Sequence, residues 1–89
     1  MAVRVNLTGR VQGVGFRAWT QAGARKLGLT GWVRNERDGS ITALLAGRQE
    51  AVEAMLQRLH EGPPAARVTD VRVEDAEPGA RPSGFLVTG

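Results

Sequence analysis

A glycine-rich stretch near the N-terminus has the residue types that bind an oxyanion. It runs Gly9-Arg10-Val11-Gln12-Gly13-Val14-Gly15-Phe16-Arg17. Gly13 and Gly15 allow backbone torsions that turn successive N–H groups inward, so that they form a concave nest for an anion. Arg17 would add a planar fork that matches two phosphate or carboxylate oxygens. The stretch therefore predicts a phosphate or carboxylate site. The same residues are also compatible with an ordinary strand-to-helix turn that carries a surface arginine.

The segments on either side of this stretch place it at the start of a helix. Apolar and polar residues alternate over 3–8, which is typical of a strand, and larger apolar residues recur at helical spacing over 16–27. A helix start offers free N–H groups and a partial positive charge to an anion. The loop is not a Walker nucleotide-binding loop, because Gly15 is not followed by the lysine and the serine or threonine that such a loop needs.

A second segment, Gly31-Trp32-Val33-Arg34-Asn35 followed by Gly39, contains the other residue that suits chemistry. The amide of Asn35 donates and accepts hydrogen bonds at once, so it can hold a water molecule. Taken alone, Asn35 equally suits stabilisation of the turn at Asp38-Gly39, which is the strongest hairpin signal in the chain.

The remaining pattern predicts the elements that position these two segments. Strands are predicted at 29–36, Ile41–Ala46, 67–74 and 84–88, a hairpin turn at 37–40, an amphipathic helix at Gln49–Glu61, and a loop containing Pro78-Gly79 and Pro82. The order βαββαβ indicates the α+β class and a ferredoxin-like sandwich, with both helices on one face of an antiparallel sheet and a short extra C-terminal strand. The first two strands are parallel in this arrangement, so Asn35 should lie at the same edge of the sheet as the glycine-rich stretch.

Composition limits the remaining possibilities. The 89 residues predict one domain over 1–89, and no cysteine is available for a disulfide, a thiolate metal site or a nucleophile. No apolar run approaches a membrane span and the N-terminus lacks a signal peptide's hydrophobic core, so we expect a cytoplasmic protein with no membrane partner. The net charge of +3 is mild and the arginines are spread along the chain, which argues against a nucleic-acid partner. The single histidine, His60, is expected to be a surface residue.

The two segments together closely resemble the signatures of the acylphosphatase family. Residues 9–17 meet every fixed position of the pattern G-x-V-Q-G-V-x-(F/M)-R. Residues 31–39 meet the second pattern, G-(F/Y/W)-(A/V/C)-(K/R/Q/A/M)-N-x-x-x-G-x-V, from which this chain departs at Ile41, where the family usually has valine. The resemblance implies an enzyme that hydrolyses the carboxyl–phosphate bond of acyl phosphates to a carboxylate and inorganic phosphate.

The resemblance also implies a role for each site residue. Arg17 corresponds to the family's phosphate-binding arginine, and Asn35 to the asparagine that positions the attacking water. The implied phosphate-binding set consists of Arg17 and the backbone N–H groups of Gln12, Gly13, Val14, Gly15 and Phe16. No metal and no cofactor are expected, because an acyl phosphate has a good leaving group and a substrate phosphate oxygen can accept the water's proton. We further expect a monomer that acts on a small-molecule acyl phosphate and is inhibited by phosphate or sulfate.

Two other classes of protein share parts of this pattern. An RNA-recognition module has the same element order, but it carries aromatic residues on its central strands, and neither 3–8 nor Ile41–Ala46 contains one. A non-catalytic anion-binding domain, like the acylphosphatase-like domain of larger hydrogenase-maturation proteins, keeps much the same motif. A chain that ends at Gly89 favours the stand-alone enzyme. A metabolic acyl phosphate and a phosphorylated aspartate on another protein are both open as natural substrates.

Overall fold

A computed structural model describes residues 1–77 and 83–89. Its elements are β1 (Ala2–Arg10), α1 (Phe16–Lys26), β2 (Thr30–Asn35), β3 (Ile41–Ala46), α2 (Gln49–Glu61), β4 (Arg67–Asp75) and β5 (Phe85–Val87). The predicted element order is confirmed, and the bounds of β3 and α2 agree with the prediction to the residue. The predicted loop at Pro78-Gly79 and Pro82 lies outside the described residues. No helix among the described residues is long and apolar enough to cross a bilayer.

Among the described residues, the strands form one sheet in the order β4-β1-β3-β2-β5. Because β3 lies between β1 and β2 and is antiparallel to both, β1 and β2 run parallel and end at the same edge of the sheet. Leu7 of β1 and Asn35 of β2 both lie opposite Ile41. The short β5 adds a parallel pairing to β2, with Val87 opposite Val33. The glycine-rich loop and Asn35 therefore meet at one edge of the sheet.

The core lies between the two helices and one face of the sheet. Every second residue of β1 from Val3 to Leu7 points into it and is at most 1% exposed. The apolar stripe of α2 packs there as predicted, with Val52, Met55 and Leu59 fully buried and Leu56 partly buried. Burying an aliphatic side chain of this kind contributes about 1.5–3 kcal/mol relative to leaving it exposed. This layer therefore fixes the strands whose ends form the site.

Helix α1 is fixed at both of its ends. Gly28 N–H donates to Arg25 O at 3.1 Å and Leu29 N–H donates to Ala24 O at 2.9 Å, which is the hydrogen-bond pattern of a Schellman motif. The helix ends at Lys26, one residue before the predicted end at Leu27, and Gly28 follows as the predicted stop. At the other end, Phe16 is 1% exposed and lies in the core. The burial of Phe16 holds the first turn of α1 against the edge where β1 and β2 end.

Candidate active site

The glycine-rich loop between β1 and α1 occupies residues 11–15. Gly13 and Gly15 have φ values of 74° and 75°, in the left-handed region that residues with a side chain disfavour. A Cβ at either position would meet no atom within 4 Å. Glycine is therefore required here by the backbone torsion and not by a lack of space. Gly15 is the N-cap of α1, and its carbonyl accepts a hydrogen bond from Trp19 N–H at 3.1 Å. The loop thus passes directly into the helix.

The first turn of α1 has none of the usual side-chain partners. Among the described residues no side chain caps its N-terminus, and its first turn contains no acidic residue. In most helices the first N–H groups bond to a capping side-chain oxygen or to water. Here these N–H groups and the positive end of the helix dipole are available to an anion.

A cavity of about 260 Å³ lies between this loop, the start of α1 and the ends of β2 and β5. Its lining consists of Val11, Gly13, Gly15, Phe16, Arg17, Ala18, Asn35 and Val87. The structure thus places the two predicted catalytic residues in one cavity. Of the predicted phosphate-binding set, Gln12 and Val14 are the two that adjoin this lining without being part of it. No group of His, Cys, Asp or Glu in 1–77 and 83–89 is arranged to hold a metal ion.

Arg17 lies in the first turn of α1 and is half-buried. Its Nη1 donates a hydrogen bond to the backbone oxygen of Gly89. Arg17 pairs with no Asp or Glu side chain in the described part of the chain, where the ion pairs are Arg34–Glu36, Arg48–Glu50 and Arg72–Asp70. Because a guanidinium has five N–H donors, most of this fork can still bind an oxyanion.

Asn35 is the last residue of β2 and contributes to the cavity wall. Its backbone N–H donates to Gly89 O at 3.4 Å. Its side-chain Oδ1 is buried and accepts no hydrogen bond from any described residue. Buried side-chain oxygens nearly always accept a hydrogen bond from protein or water. The amide oxygen of Asn35 is therefore suited to accept one from a molecule in the cavity.

Asp38, and not Asn35, holds the hairpin turn between β2 and β3. Ser40 donates to Asp38 Oδ1 from its hydroxyl at 2.6 Å and from its backbone N–H at 2.9 Å. These bonds, the hydroxyl bond first, lower the pKa of the Asp38 carboxyl below its ordinary value. The turn is thus stabilised without the side chain of Asn35.

The side chain of Gln12 makes contacts that the sequence did not predict. Its Nε2 donates to Glu36 O at 2.8 Å and to Ser40 O at 2.9 Å. One signal was available, namely a long amide side chain in a loop otherwise made of valine and glycine. Val87 is the other unpredicted contributor to the site, because no periodicity indicates that β5 pairs with β2.

These observations define a class of protein, an α+β sandwich with an oxyanion site at the start of its first helix. Comparison with known proteins makes the assignment specific. The family model for acylphosphatase matches residues 3–87. The chain belongs to the acylphosphatase family, as the two sequence signatures predicted.

Individual relatives agree over almost the whole of both chains. An acylphosphatase of Rhizobium etli is 54% identical over 88 residues, which are 99% of this chain and 94% of that protein. The crystal structure of acylphosphatase from Bacillus subtilis matches with a TM-score of 0.91 and 34% identity, covering 99% of this chain and 98% of that one. An acylphosphatase structure from Coxiella burnetii matches with a TM-score of 0.93 and 34% identity, covering 98% and 90%. The predicted fold class is confirmed.

Proposed function

We propose that this chain hydrolyses the carboxyl–phosphate bond of acyl phosphates, giving a carboxylate and inorganic phosphate. The observation that carries the proposal is a single cavity lined by Arg17, the uncapped start of α1 and the buried amide oxygen of Asn35. Membership of the acylphosphatase family supports the same reaction. A non-catalytic anion-binding role is not favoured, because relatives matched over nearly their full length are acylphosphatases.

The phosphoryl group would be held by the loop and by Arg17. Backbone N–H groups of residues 12–16 donate to its non-bridging oxygens, assisted by the dipole of α1. The guanidinium of Arg17 keeps one donor on Gly89 and directs others to the phosphoryl oxygens. These donors are in place before the reaction, so they stabilise charge on the phosphoryl oxygens without reorganising.

The attacking water would be held by Asn35. Oδ1 accepts one hydrogen bond from the water and directs its lone pair towards phosphorus, opposite the departing carboxylate. A bond forms between the water oxygen and phosphorus as the bond from phosphorus to the acyl oxygen breaks. The electron pair of that bond leaves with the carboxylate, and a phosphate oxygen of the substrate accepts the proton. No protein carboxylate or imidazole is needed as a base.

The proposed reaction uses neither a metal ion nor a cofactor. The cavity offers backbone amides, a guanidinium and a side-chain amide, which bind anions and water, whereas divalent cations in phosphoryl-transfer sites are held chiefly by carboxylates. We expect the protein to act in the cytoplasm as a monomer with one domain over 1–89, on a small-molecule acyl phosphate and without a nucleic-acid partner.

The test is a hydrolysis assay on protein treated with EDTA. An aromatic acyl phosphate should be hydrolysed at the same rate before and after the treatment. The matching aryl phosphate monoester should be stable, because its leaving group is too poor for a site without a metal or a base. Activity that depends on an added divalent cation, or comparable hydrolysis of the monoester, would contradict the proposal.

Inorganic phosphate and sulfate should be competitive inhibitors. Both are tetrahedral oxyanions, which a nest of N–H groups at a helix start binds without regard to the central atom. Amide resonances of Gly13 and Gly15 should shift with the same saturation curve as the inhibition. Inhibition without competition, or shifts confined to another surface, would place the anion outside this cavity.

A further inference from the structure

The two halves of the proposed site are not on neighbouring strands. The anion-binding loop follows β1 and Asn35 ends β2, with β3 between them. Leu7 and Asn35 lie on either side of Ile41, so β1 and β2 are roughly 10 Å apart at this edge of the sheet. In-line attack requires the water and the phosphoryl group to be placed to within a fraction of an ångström. Some contact must therefore set the distance between the loop and Asn35.

The side chain of Gln12 makes that contact. Its two Nε2 hydrogens bond to Glu36 O and Ser40 O. The same two carbonyls close the hairpin turn, since Glu36 N–H donates to Ser40 O at 2.8 Å and Gly39 N–H donates to Glu36 O at 3.2 Å. No other hydrogen bond joins residues 11–15 to residues 36–40 within 1–77 and 83–89. Gln12 thus ties the anion-binding loop to the turn that begins directly after Asn35.

We propose that Gln12 is a positioning residue, whose side chain sets the distance between the phosphoryl group in the loop and the water on Asn35. The inference rests on the proposed function, because it assigns Gln12 a role in that reaction. In this role its side chain acts through the turn on Asn35 and does not contact the reacting groups. This role is separate from the predicted contribution of its backbone N–H to anion binding.

The arrangement of acceptors makes this role testable. When Gln12 is shortened to alanine, Glu36 O keeps its bond from Gly39 and Ser40 O keeps its bond from Glu36. No buried carbonyl is left without a donor, so Gln12→Ala should fold. The backbone N–H of residue 12 is also retained, so its contribution to anion binding should survive.

The first experiment compares Gln12→Ala with Asn6→Ala. Asn6 is a matched control, because its Nδ2 donates to Ser40 Oγ at 3.1 Å and to Thr42 Oγ1 at 3.2 Å and so ties β1 to the same hairpin away from the cavity. We expect Gln12→Ala to lower kcat about tenfold to a hundredfold, with the inhibition constant of phosphate within about twofold of that of the unmodified chain. Asn6→Ala should lower Tm and leave kcat unchanged. Equal kcat in both variants would overturn the proposal.

The second experiment repeats Gln12→Ala in an Asn35→Ala background. If Gln12 acts by placing the water on Asn35, its loss should cause no further fall in kcat once that amide is gone. Losses that multiply would contradict the role of Gln12 alone. Full turnover by the single variant Asn35→Ala would instead refute the proposed use of Asn35, and with it the inference drawn from it.

The variant Gln12→Glu provides a further readout, which is the pH dependence of kcat. At neutral pH the carboxylate would be repelled by two carbonyl oxygens, whereas the protonated acid can donate to one of them. The kcat of Gln12→Glu relative to that of the unmodified chain should therefore rise as the pH is lowered. A ratio that does not change with pH would contradict the proposed contact.

Discussion

The cavity and the open face of the sheet contain the same kinds of polar side chain, but these are paired with other protein groups on the open face and are left with free hydrogen-bonding capacity in the cavity. The open face is the one away from the helices, and we define it by Asn6, Trp32, Arg34 and Thr42. There, Arg34 Nε lies 3.0 Å from Glu36 Oε1, and Thr42 Oγ1 donates to Glu36 Oε2 at 3.0 Å. The Arg34 guanidinium also lies 4.7 Å from the centre of the Trp32 ring. The polar groups of the open face are thus largely paired with one another.

In the cavity the corresponding groups retain binding capacity. Arg17 pairs with no Asp or Glu side chain in the described chain, and Asn35 Oδ1 accepts no hydrogen bond there. A buried polar atom without a partner costs about 1–3 kcal/mol, so a fold keeps one where a ligand or water supplies the missing bond. Residue type alone does not separate a binding arginine or asparagine from a structural one. A binding arginine or asparagine is distinguished by the hydrogen bonds that the rest of the protein leaves unmade.

Replacing Arg17 should have the largest effect and provides the strongest test of this contrast. On the proposed mechanism Arg17 contacts both the bound phosphate and the transition state. Arg17→Ala should therefore lower kcat/KM at least about a hundredfold, a loss of about 3 kcal/mol or more in transition-state stabilisation. Arg17→Lys should recover part of the loss, because an ammonium supplies the charge without the planar fork. Turnover and Tm measured on the same preparations check both statements.

The matched control for Arg17 is Arg34→Ala on the open face. Its partners are protein groups, so kcat/KM should stay close to that of the unmodified chain. A folded Arg17→Ala protein with near-normal turnover would show that Arg17 is structural. A large loss of activity in Arg34→Ala would show that pairing with protein groups does not separate a structural arginine from a catalytic one.

Removing the amide of Asn35 should have the next largest effect. Asn35→Ala should lower kcat by about a hundredfold, a typical cost for one lost positioning or polarising group. The phosphate inhibition constant should change little, because the amide is assigned to the water and not to the anion. If phosphate binding weakens as much as turnover, Asn35 contacts the phosphoryl group itself.

Much of the fold and part of the site could be predicted from local pattern. Alternation over 31–35 placed Asn35 on the same face as Val33, and Asp38-Gly39 marked the turn, because strand periodicity and turn chemistry depend on near neighbours in the chain. The contact of Gln12 with the hairpin spans 24 residues and arises from a loop, where no periodicity determines the direction of a side chain. The position of Val87 depends on which strand β5 joins, and that choice is made by packing across the whole sheet.

Gly15 should show a smaller effect that separates torsion from stability. Gly15→Ala introduces a Cβ that meets no atom within 4 Å, so its cost is the left-handed torsion, about 1–2 kcal/mol. Relaxation of that torsion would turn N–H groups away from the anion, so the phosphate inhibition constant should rise several-fold. The measurement is inhibition by phosphate alongside Tm.

Gly28 is the matched control at the other end of α1. It has a φ of 73° and equally open surroundings, so Gly28→Ala should lower Tm by a similar amount and leave phosphate inhibition unchanged. Equal effects of the two substitutions on phosphate binding would mean that α1 as a whole, and not the loop, determines the affinity for the anion.

The smallest expected effect is on the open face. The side chains of Arg34 and Glu36 are 44% and 33% exposed, so solvent and salt screen their attraction, and a pair of this kind contributes about 0.2–1 kcal/mol. Arg34→Ala should therefore lower Tm by a few degrees at most, and the difference should shrink as salt is added. A loss for Arg34→Ala that exceeds this range and persists at high salt would mean that its packing on Trp32, and not its ion pair, stabilises the sheet.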